Sequence, residues 1–482
     1  MSRTLKRFLT AAGGGAALLL LAAATAPLFV NADRLKPELE AAAAESIGMD
    51  VRVDGRIGFG LLPGPHLTLE RGRILGARGE DVASARTARL YFRTLPLLRG
   101  ALRLNRIELT RPKLSIERDS TGTLNVGRLK RAVALLGGMH GGGVKVTDGT
   151  LRYADRGSGR TIEATGIRLD LGRIRLAGGG NPLDPRGLSF RAKLACAEIR
   201  TESHSESALE VFVEGKNGLF VADPITTSLF GGQGKGSVRV EFTGGAPRYR
   251  VRGTLANFRI EESLKMLSPV KAAEGEMSFS MDLSMEGVGW GRLVETAEGE
   301  VSLRGRDLTL LSHDLDGAIS RFEASQNFNF VDVGAVFLTG PLGLAVTKGY
   351  SFASLFKGTG GTTNLGTVVS DWTVERGVAR AKDVAMSTAE NRLAVKGGLD
   401  FVGRRFDDMT LAVVDEEGCS KLRQTIRGSF ENPDVDKPHV LTSLAGPLVS
   451  ALKKAKDLLP TGPCEVFYSG SVKHPNKEPE ID

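Results

Sequence analysis

The sequence predicts a mainly β protein, in which an N-terminal transmembrane helix precedes an extended, twisted antiparallel β-sheet groove with a few short covering helices. Three observations support this prediction. An uncharged apolar run covers residues 8–30. After residue 50, apolar residues recur with a period of two in many short segments. Turn residues separate these segments, with 61 glycines and 19 prolines in the chain.

The apolar run Phe8–Val30 is long enough to cross a membrane, because about 20 helical residues span the hydrocarbon core. Arg3, Lys6 and Arg7 precede it, and positive flanks of this kind stay in the cytoplasm. We therefore expect a single-pass anchor with the bulk of the chain outside the cytoplasm. A cleaved signal peptide is the alternative, with a cut near residues 30–32. Since a signal peptide carries an apolar core of only about 7–15 residues, we favour the uncleaved anchor.

Composition excludes several classes of protein. An apolar content of 41% and a charged content of 25% are typical of an ordered chain. The formal net charge of +8 is spread along the sequence without long basic runs, so we expect no nucleic-acid partner. The three cysteines are too few for a scaffold built on disulfides.

Catalytic motifs are absent from the sequence. Its six histidines never fall at metal-ligand spacing, and no nucleophile elbow, zinc-protease motif or complete phosphate-binding loop occurs. The glycine-rich run Gly231–Gly236 superficially resembles a phosphate loop, but it lacks the lysine and hydroxyl ending and precedes a strand. We interpret it as a hairpin. We expect no enzymatic activity, no cofactor and no metal.

The periodicity predicts about 20 strands and five or six short helices. The alternation slips by one residue between Leu104 and Ile107, which predicts a bulge. An amphipathic helix is predicted immediately after the anchor. The predicted helices cover residues 33–47, 126–136, 261–267, 315–324 and 447–459.

Most predicted strands have one apolar and one polar face, and the helices are too few to cover every apolar face. A second sheet, closure of the sheet on itself or a bound apolar ligand must therefore do so. The clearest alternation lies in Met277–Met285. Its apolar side chains are either plain core or the wall of a lipid groove, where flexible thioethers accept varied partners. The candidate lipid-groove residues are Met277, Phe279, Met281, Leu283 and Met285.

Several segments of the chain resemble the AsmA family of envelope proteins. The resemblance covers most of the chain. It is strongest towards the C-terminus. The segments are Gly55–Ile74, Leu97–Leu109, Leu229–Val240, Gly340–Phe352, Ser370–Phe401, Gly418–Pro438 and Pro463–Pro475.

This resemblance implies a cell inner-membrane protein with a periplasmic β-groove, related to bridge-like lipid transfer proteins. Four parts are expected: the anchor in residues 1–32, an N-terminal groove in 33–140, a middle β region in 141–288 and a C-terminal β region in 289–482. The implied function is support of outer-membrane biogenesis by holding or conducting phospholipids, with other envelope proteins as further partners. The alternative is an assembly factor or scaffold for insertion of outer-membrane proteins, with no lipid in transit.

A disulfide between Cys419 and Cys464 is also predicted. Both cysteines lie in the family-like C-terminal segments, and export would place them where disulfides persist. Cys196 lies apart, on the apolar face of a predicted strand. Two reduced, separately buried thiols are the alternative.

Overall fold

The computed structural model describes residues 36–76, 79–99, 101–126, 142–176, 184–201, 205–265, 271–311, 313–325, 360–436, 439–440 and 464–475. The predicted anchor Phe8–Val30 and the predicted helices over 126–136 and 447–459 lie outside these residues, apart from residue 126. No helix among the described residues is both long and apolar enough to cross a membrane. The chain divides into two compact units, residues 1–224 and 225–482. The domain boundaries predicted between residues 140 and 141 and between residues 288 and 289 stay predictions.

The described part of unit 1 is mainly one β-sheet. Its strands are β1 Asp50–Val53, β2 Ile57–Gly60, β3 His66–Leu75, β4 Asp81–Phe92, β5 Leu104–Arg118, β6 Val144–Asp155, β7 Thr161–Leu171, β8 Arg175–Leu176, β9 Leu188–Thr201 and β10 Ser205–Lys216. Strands β1 and β2 both pair with β3, and the order then runs β3, β4, β5, β6, β7, β9 and β10. All these pairs are antiparallel except β5 with β6, which is parallel.

The helix Lys36–Ile47 packs against β1 at the beginning of this sheet. It confirms the helix predicted there, but none of its residues is buried, and it is less amphipathic than predicted because four consecutive alanines and several charges share its surface. Leu39 is its apolar contact with the small core of Val53, Ile57 and Leu67. The helix therefore covers only this end of the sheet.

Unit 2 is an antiparallel meander that packs one face into a large core. The described helices Ile260–Leu264 and Leu315–Ser325 place apolar side chains in this core, which includes Trp372 at 1% exposure. The strands that follow β11 (Leu219–Leu229) are β12 Gly232–Glu241, β13 Arg248–Arg259, β14 Ala273–Glu274, β15 Glu276–Glu286, β16 Glu298–Leu311, β17 Thr362–Glu375, β18 Val378–Ser387, β19 Arg392–Asp400, β20 Arg405–Val414, β21 Ser420–Gly428, β22 Pro433–Val435 and β23 His439–Val440.

The other face of β17–β20 is covered as well. Residues 464–475, here called the C-terminal segment, place Tyr468 and Val472 on a second apolar cluster that includes Val369 and Ala394. Because both faces of these strands are packed, they show long runs of buried residues, such as the last four residues of β18.

Local predictions from the sequence are largely confirmed. Asn105 is the extra residue between the pairs Tyr91–Arg106 and Phe92–Leu104, so the predicted bulge is present. Phe230 and Gly231 both have positive φ and form the two-residue turn after which β12 begins, so the glycine run is a turn and a strand. The helices predicted over 261–267 and 315–324 are found at Ile260–Leu264 and Leu315–Ser325.

Candidate functional site

The strand register of unit 1 aligns its apolar side chains in two rows across seven strands. Neighbours in each row are direct cross-strand partners, and the two rows lie two residues apart on each strand, so they share one face. Row one contains Leu67, Leu90, Ile107, Val144, Leu171, Ala192 and Val213. Row two contains Leu69, Ala88, Leu109, Val146, Leu169, Leu194 and Val211. We call this surface the apolar face.

The opposite face of the same strands is charged. A ladder of direct partners alternates in sign across five strands, and each member is adjacent in sequence to a member of the apolar rows. Opposite charges at such positions stabilise a sheet modestly and require water around them. The ladder therefore identifies the solvated side of the sheet. Its members are Arg89, Glu108, Lys145, Asp170 and Lys193.

Row two of the apolar face is only half-buried. In row two, Leu109, Val146, Leu169 and Leu194 all keep intermediate exposure. Among the described residues, no helix packs extensively on β5, β6, β7, β9 or β10. Half-exposed aliphatic side chains over this many strands form a contiguous apolar surface, which soluble proteins rarely leave open.

Residues with a left-handed backbone conformation form a line across the sheet beside these rows. Positive φ occurs at Arg71, Arg111, Asp148, Gly166 and Ala208, on five of its strands. A left-handed residue interrupts the side-chain alternation of a strand. Beyond the line, the register aligns a third set of apolar partners, which consists of Ile74, Ala83, Leu114, Leu151, Ala164 and Ile199.

Gly166 shows why this line constrains the sequence. Its φ is +63°, and a side chain there would bring a Cβ to 2.6 Å from the Cβ of Ala197 on the neighbouring strand. Glycine is thus required by both conformation and space. Two other members of the line, Arg111 on β5 and Asp148 on β6, form an ion pair of 3.0 Å with each other.

The lipid-groove residues predicted from the sequence lie on β15 in unit 2. Met277 is 2% exposed and belongs to the large core. Phe279, Met281 and Leu283 are half-buried and pack against that core, and Met285 is half-buried near the end of the strand. The structure therefore gathers these side chains on one face, but on one packed by the rest of unit 2. Their contact with lipid stays a prediction.

A cavity of about 490 Å³ lies on the polar face of unit 2, beside the same strands. Its charged side chains are already paired, with Arg304 bound to Asp371 and Lys382 Nζ 2.8 Å from Glu300. Ser302 also donates a hydrogen bond to Asp371. Because these pairs satisfy one another, the cavity offers no unpaired charge to a ligand.

The disulfide predicted from the sequence is present in the structure. Cys419 and Cys464 are joined, with their Cα atoms 5.9 Å apart. The bond ties the start of the C-terminal segment to the turn before β21, where Gly418 accepts hydrogen bonds from the amides of Phe467 and Tyr468. Cys196 is a free, buried thiol, as expected for the cysteine that lies apart.

The apolar rows of unit 1 were not singled out from the sequence. The signal was present as paired apolar positions, for example Ile107 with Leu109 and Leu169 with Leu171. Each strand has only a short run of such positions, because the residues with positive φ and the turns interrupt the alternation. Only the register joins these pairs into rows.

The family comparison covers the N-terminal part of the chain. The model of the AsmA family matches residues 1–132, which confirms the AsmA resemblance over that part of the chain. Neither the curated proteins nor the solved structures compared with the chain gave a match. Proteins of the AsmA family are associated with the cell envelope, and the match is consistent with a role in envelope and outer-membrane biogenesis.

Proposed function

We propose that this chain is an inner-membrane-anchored envelope protein that holds phospholipid acyl chains on the apolar face of unit 1 and thereby supports outer-membrane biogenesis. The observation that carries the proposal is the apolar face across seven strands, on which every side chain of row two keeps intermediate exposure, although Leu67, Val144 and Ala192 of row one are buried. The match to the AsmA family gives the cellular setting.

The dimensions of the apolar face suit an acyl chain. Seven strands have six intervals of about 4.8 Å, so each row is about 29 Å long. One leaflet of a bilayer has a hydrocarbon depth of roughly 15 Å, half of the full core. An acyl chain lying along a row would remain in contact with aliphatic side chains over its whole length. Its polar headgroup would reach water at the margin of the sheet.

The location of the protein is part of the same proposal. Phe8–Val30 would span the inner membrane, with the basic residues before it in the cytoplasm and the chain after residue 32 in the periplasm. A phosphatase fused after Lys473 should then be active. An inactive phosphatase, together with a fluorescent cytoplasmic reporter at the same position, would contradict this topology.

Lipid binding is tested by a matched pair of substitutions on β5. Leu109 lies in row two, and the adjacent Thr110 is exposed on the charged side. Leu109→Arg places a cation among the proposed acyl chains, whereas Thr110→Arg adds the same charge in water. The full-length variants are purified in detergent, and their bound phospholipid is measured by native mass spectrometry.

The proposal expects phospholipid on the wild type and on Thr110→Arg, with a marked loss on Leu109→Arg. Circular dichroism checks that both variants keep their strand content. Equal phospholipid content in the two variants, or none on the wild type, would contradict lipid binding at this face.

A second candidate function is supported by unit 2. Its apolar interior is filled by its own side chains, including Met277 and Trp372. A sheet face packed by the protein's own side chains fits a scaffold that binds envelope proteins rather than lipid. Absence of bound lipid, combined with retention of function in Leu109→Arg cells, would favour this alternative.

A further inference from the structure

Two loops at one end of unit 1 expose large apolar side chains to solvent. One loop joins β2 to β3, and the other joins β4 to β5. Five of their leucines are 43–88% exposed, with Leu62 the most exposed. We call these five residues the leucine patch: Leu61, Leu62, Leu95, Leu98 and Leu102.

Backbone contacts place both loops at the same end of the sheet. His66 at the start of β3 is the partner of Tyr91 near the end of β4. The amide of Phe92 donates to the carbonyl of Pro65 at 2.9 Å, and the amide of Arg93 donates to the carbonyl of Arg103 at 2.9 Å. Both loops therefore leave the sheet side by side.

The second loop is also basic. Residues 93–103 contain Arg93, Arg99 and Arg103 and no acidic residue. All three arginines are exposed. Among the described residues, no carboxylate forms an ion pair with any of the three. The leucine patch is thus bordered by three cations that remain available to an external anion.

The chain enters unit 1 at this end. Leu39, near the beginning of the helix Lys36–Ile47, packs on the small core that contains Leu67, and Phe92 packs on the same core. Leu67 and Phe92 flank the two loops. The end of that helix leads into Asp50, the partner of Leu75 at the far end of β3. The apolar run Phe8–Val30 ends six residues before this helix begins.

We propose that the leucine patch docks unit 1 onto the surface of a lipid bilayer, with its leucines among the outer acyl carbons and Arg93, Arg99 and Arg103 at anionic headgroups. Exposed aliphatic side chains bordered by cations are typical of surfaces that bind at the membrane interface. Row one of the apolar face begins at Leu67, directly after the first loop. Docking of this end would therefore place the apolar rows beside the bilayer that supplies the proposed lipid.

The docking surface is independent of lipid storage on the apolar face, because none of its five leucines belongs to the rows. It predicts only which end of unit 1 contacts the membrane. A protein partner would also cover apolar side chains, so the test must distinguish burial in lipid from burial under protein.

The test places a fluorescent thiol label at each end of unit 1 in the full-length protein, reconstituted into vesicles of phosphatidylethanolamine and phosphatidylglycerol. Leu62→Cys and Leu98→Cys report on the patch. Ser120→Cys is the matched control, an exposed residue just beyond the far end of β5. β5 advances 14 residues from Leu104 to Arg118, so the control lies about 46 Å from the patch. The native cysteines are either in the disulfide or buried, and the introduced thiol is the exposed one.

Lipids with a quencher near the headgroup should quench the labels at 62 and 98 several-fold more than the label at 120. Simultaneous replacement of the three arginines by glutamate should reduce this quenching. Equal quenching at both ends would overturn the proposal. A label at 62 that is shielded from a soluble quencher but not reached by the lipid quencher would also overturn it, in favour of a protein partner. Native mass spectrometry of the same variants in detergent, before reconstitution, measures phospholipid bound to the protein and separates this outcome from a failure of lipid binding.

Discussion

Tyr468 donates its hydroxyl hydrogen to Oδ1 of Asp383 at 2.6 Å, which joins the C-terminal segment to β18 across 85 residues of sequence. The same hydroxyl accepts a hydrogen bond from the amide of Val472 at 2.9 Å. The guanidinium of Arg392 lies 5.3 Å from the Tyr468 ring centroid and donates to the carbonyl of Val472. These contacts hold the C-terminal segment on the second face of the sheet, together with the disulfide.

Tyr468→Phe should loosen the C-terminal segment without disturbing the rest of unit 2. The substitution keeps the ring but removes the hydroxyl, which leaves the buried Val472 amide without its acceptor and Asp383 with one donor fewer. A hydrogen bond to a charged group contributes about 2 kcal/mol. Native-state hydrogen exchange at Val472 measures the loss. Tyr249→Phe is the control, because the Tyr249 hydroxyl makes no hydrogen bond among the described residues, and equal protection in both variants would contradict the role of Tyr468.

Attachment of the C-terminal segment should weaken in acid. Burial alone would raise the pKa of Asp383, but hydrogen bonds from Ser471 and Tyr468 outweigh it, and the net pKa is below the ordinary carboxyl value. A carboxyl with a lowered folded-state pKa stabilises above its unfolded pKa of about 3.9, and this stability disappears as the pH falls through the folded value. The stability advantage of the wild type over Asp383→Asn should therefore be constant from pH 7 to about 5 and shrink below about 4. Thermal unfolding measures it, and a difference that does not change with pH would refute this role of Asp383.

Loss of the disulfide should release the same segment. The bond closes a loop of 45 residues, which in the chain-entropy description stabilises by roughly 4 kcal/mol. Cys464→Ser should lower the unfolding temperature and reduce exchange protection in residues 464–475. Cys196→Ser, which removes a thiol outside the bond, should leave that protection unchanged. Non-reducing peptide mapping of protein from the envelope should recover Cys419 and Cys464 in one linked peptide, and free thiols at both positions would contradict the bond.

The alternation of period two was sufficient to predict a mainly β fold with a large antiparallel sheet and few helices. It could not distinguish an apolar face that is packed from one that is open. On β15, the alternation of Met277, Phe279 and Met281 is clearer than on any strand of unit 1, yet this face is packed because β17–β21 and two helices bring distant side chains onto it. Whether an apolar face is packed or open depends on contacts between residues far apart in sequence.

The apolar face of unit 1 was missed for a local reason. On β5, the apolar positions shift from odd to even numbers between Leu109 and Leu114, on either side of Arg111. No turn motif in the sequence predicts the positive φ of Arg111. The shift of the apolar positions from odd to even numbers therefore looked like an irregular segment. The register with β6, in which Leu109 faces Val146 and Leu114 faces Leu151, was needed to connect both segments.

A positive charge in the core of unit 2 and a positive charge on the apolar face of unit 1 should have opposite consequences for folding. Met277→Arg would bury an unpaired cation in a core position of 2% exposure, which costs several kcal/mol. Leu109→Arg changes a half-exposed position, where the guanidinium can reach water. Near-ultraviolet circular dichroism should therefore show loss of tertiary packing for Met277→Arg and a native spectrum for Leu109→Arg. Unfolding of Leu109→Arg to the same extent would indicate that the apolar face is a closed core.

Photo-crosslinking in living cells tests lipid contact at the apolar face most directly. A photoreactive phenylalanine analogue replaces Leu194 in row two or the adjacent Lys193 on the charged ladder, and the purified full-length protein is analysed for covalently attached lipid. We predict phospholipid adducts at position 194 and none above background at position 193. Adducts at neither position, or equal adducts at both, would contradict the proposal that the apolar face of unit 1 holds phospholipid.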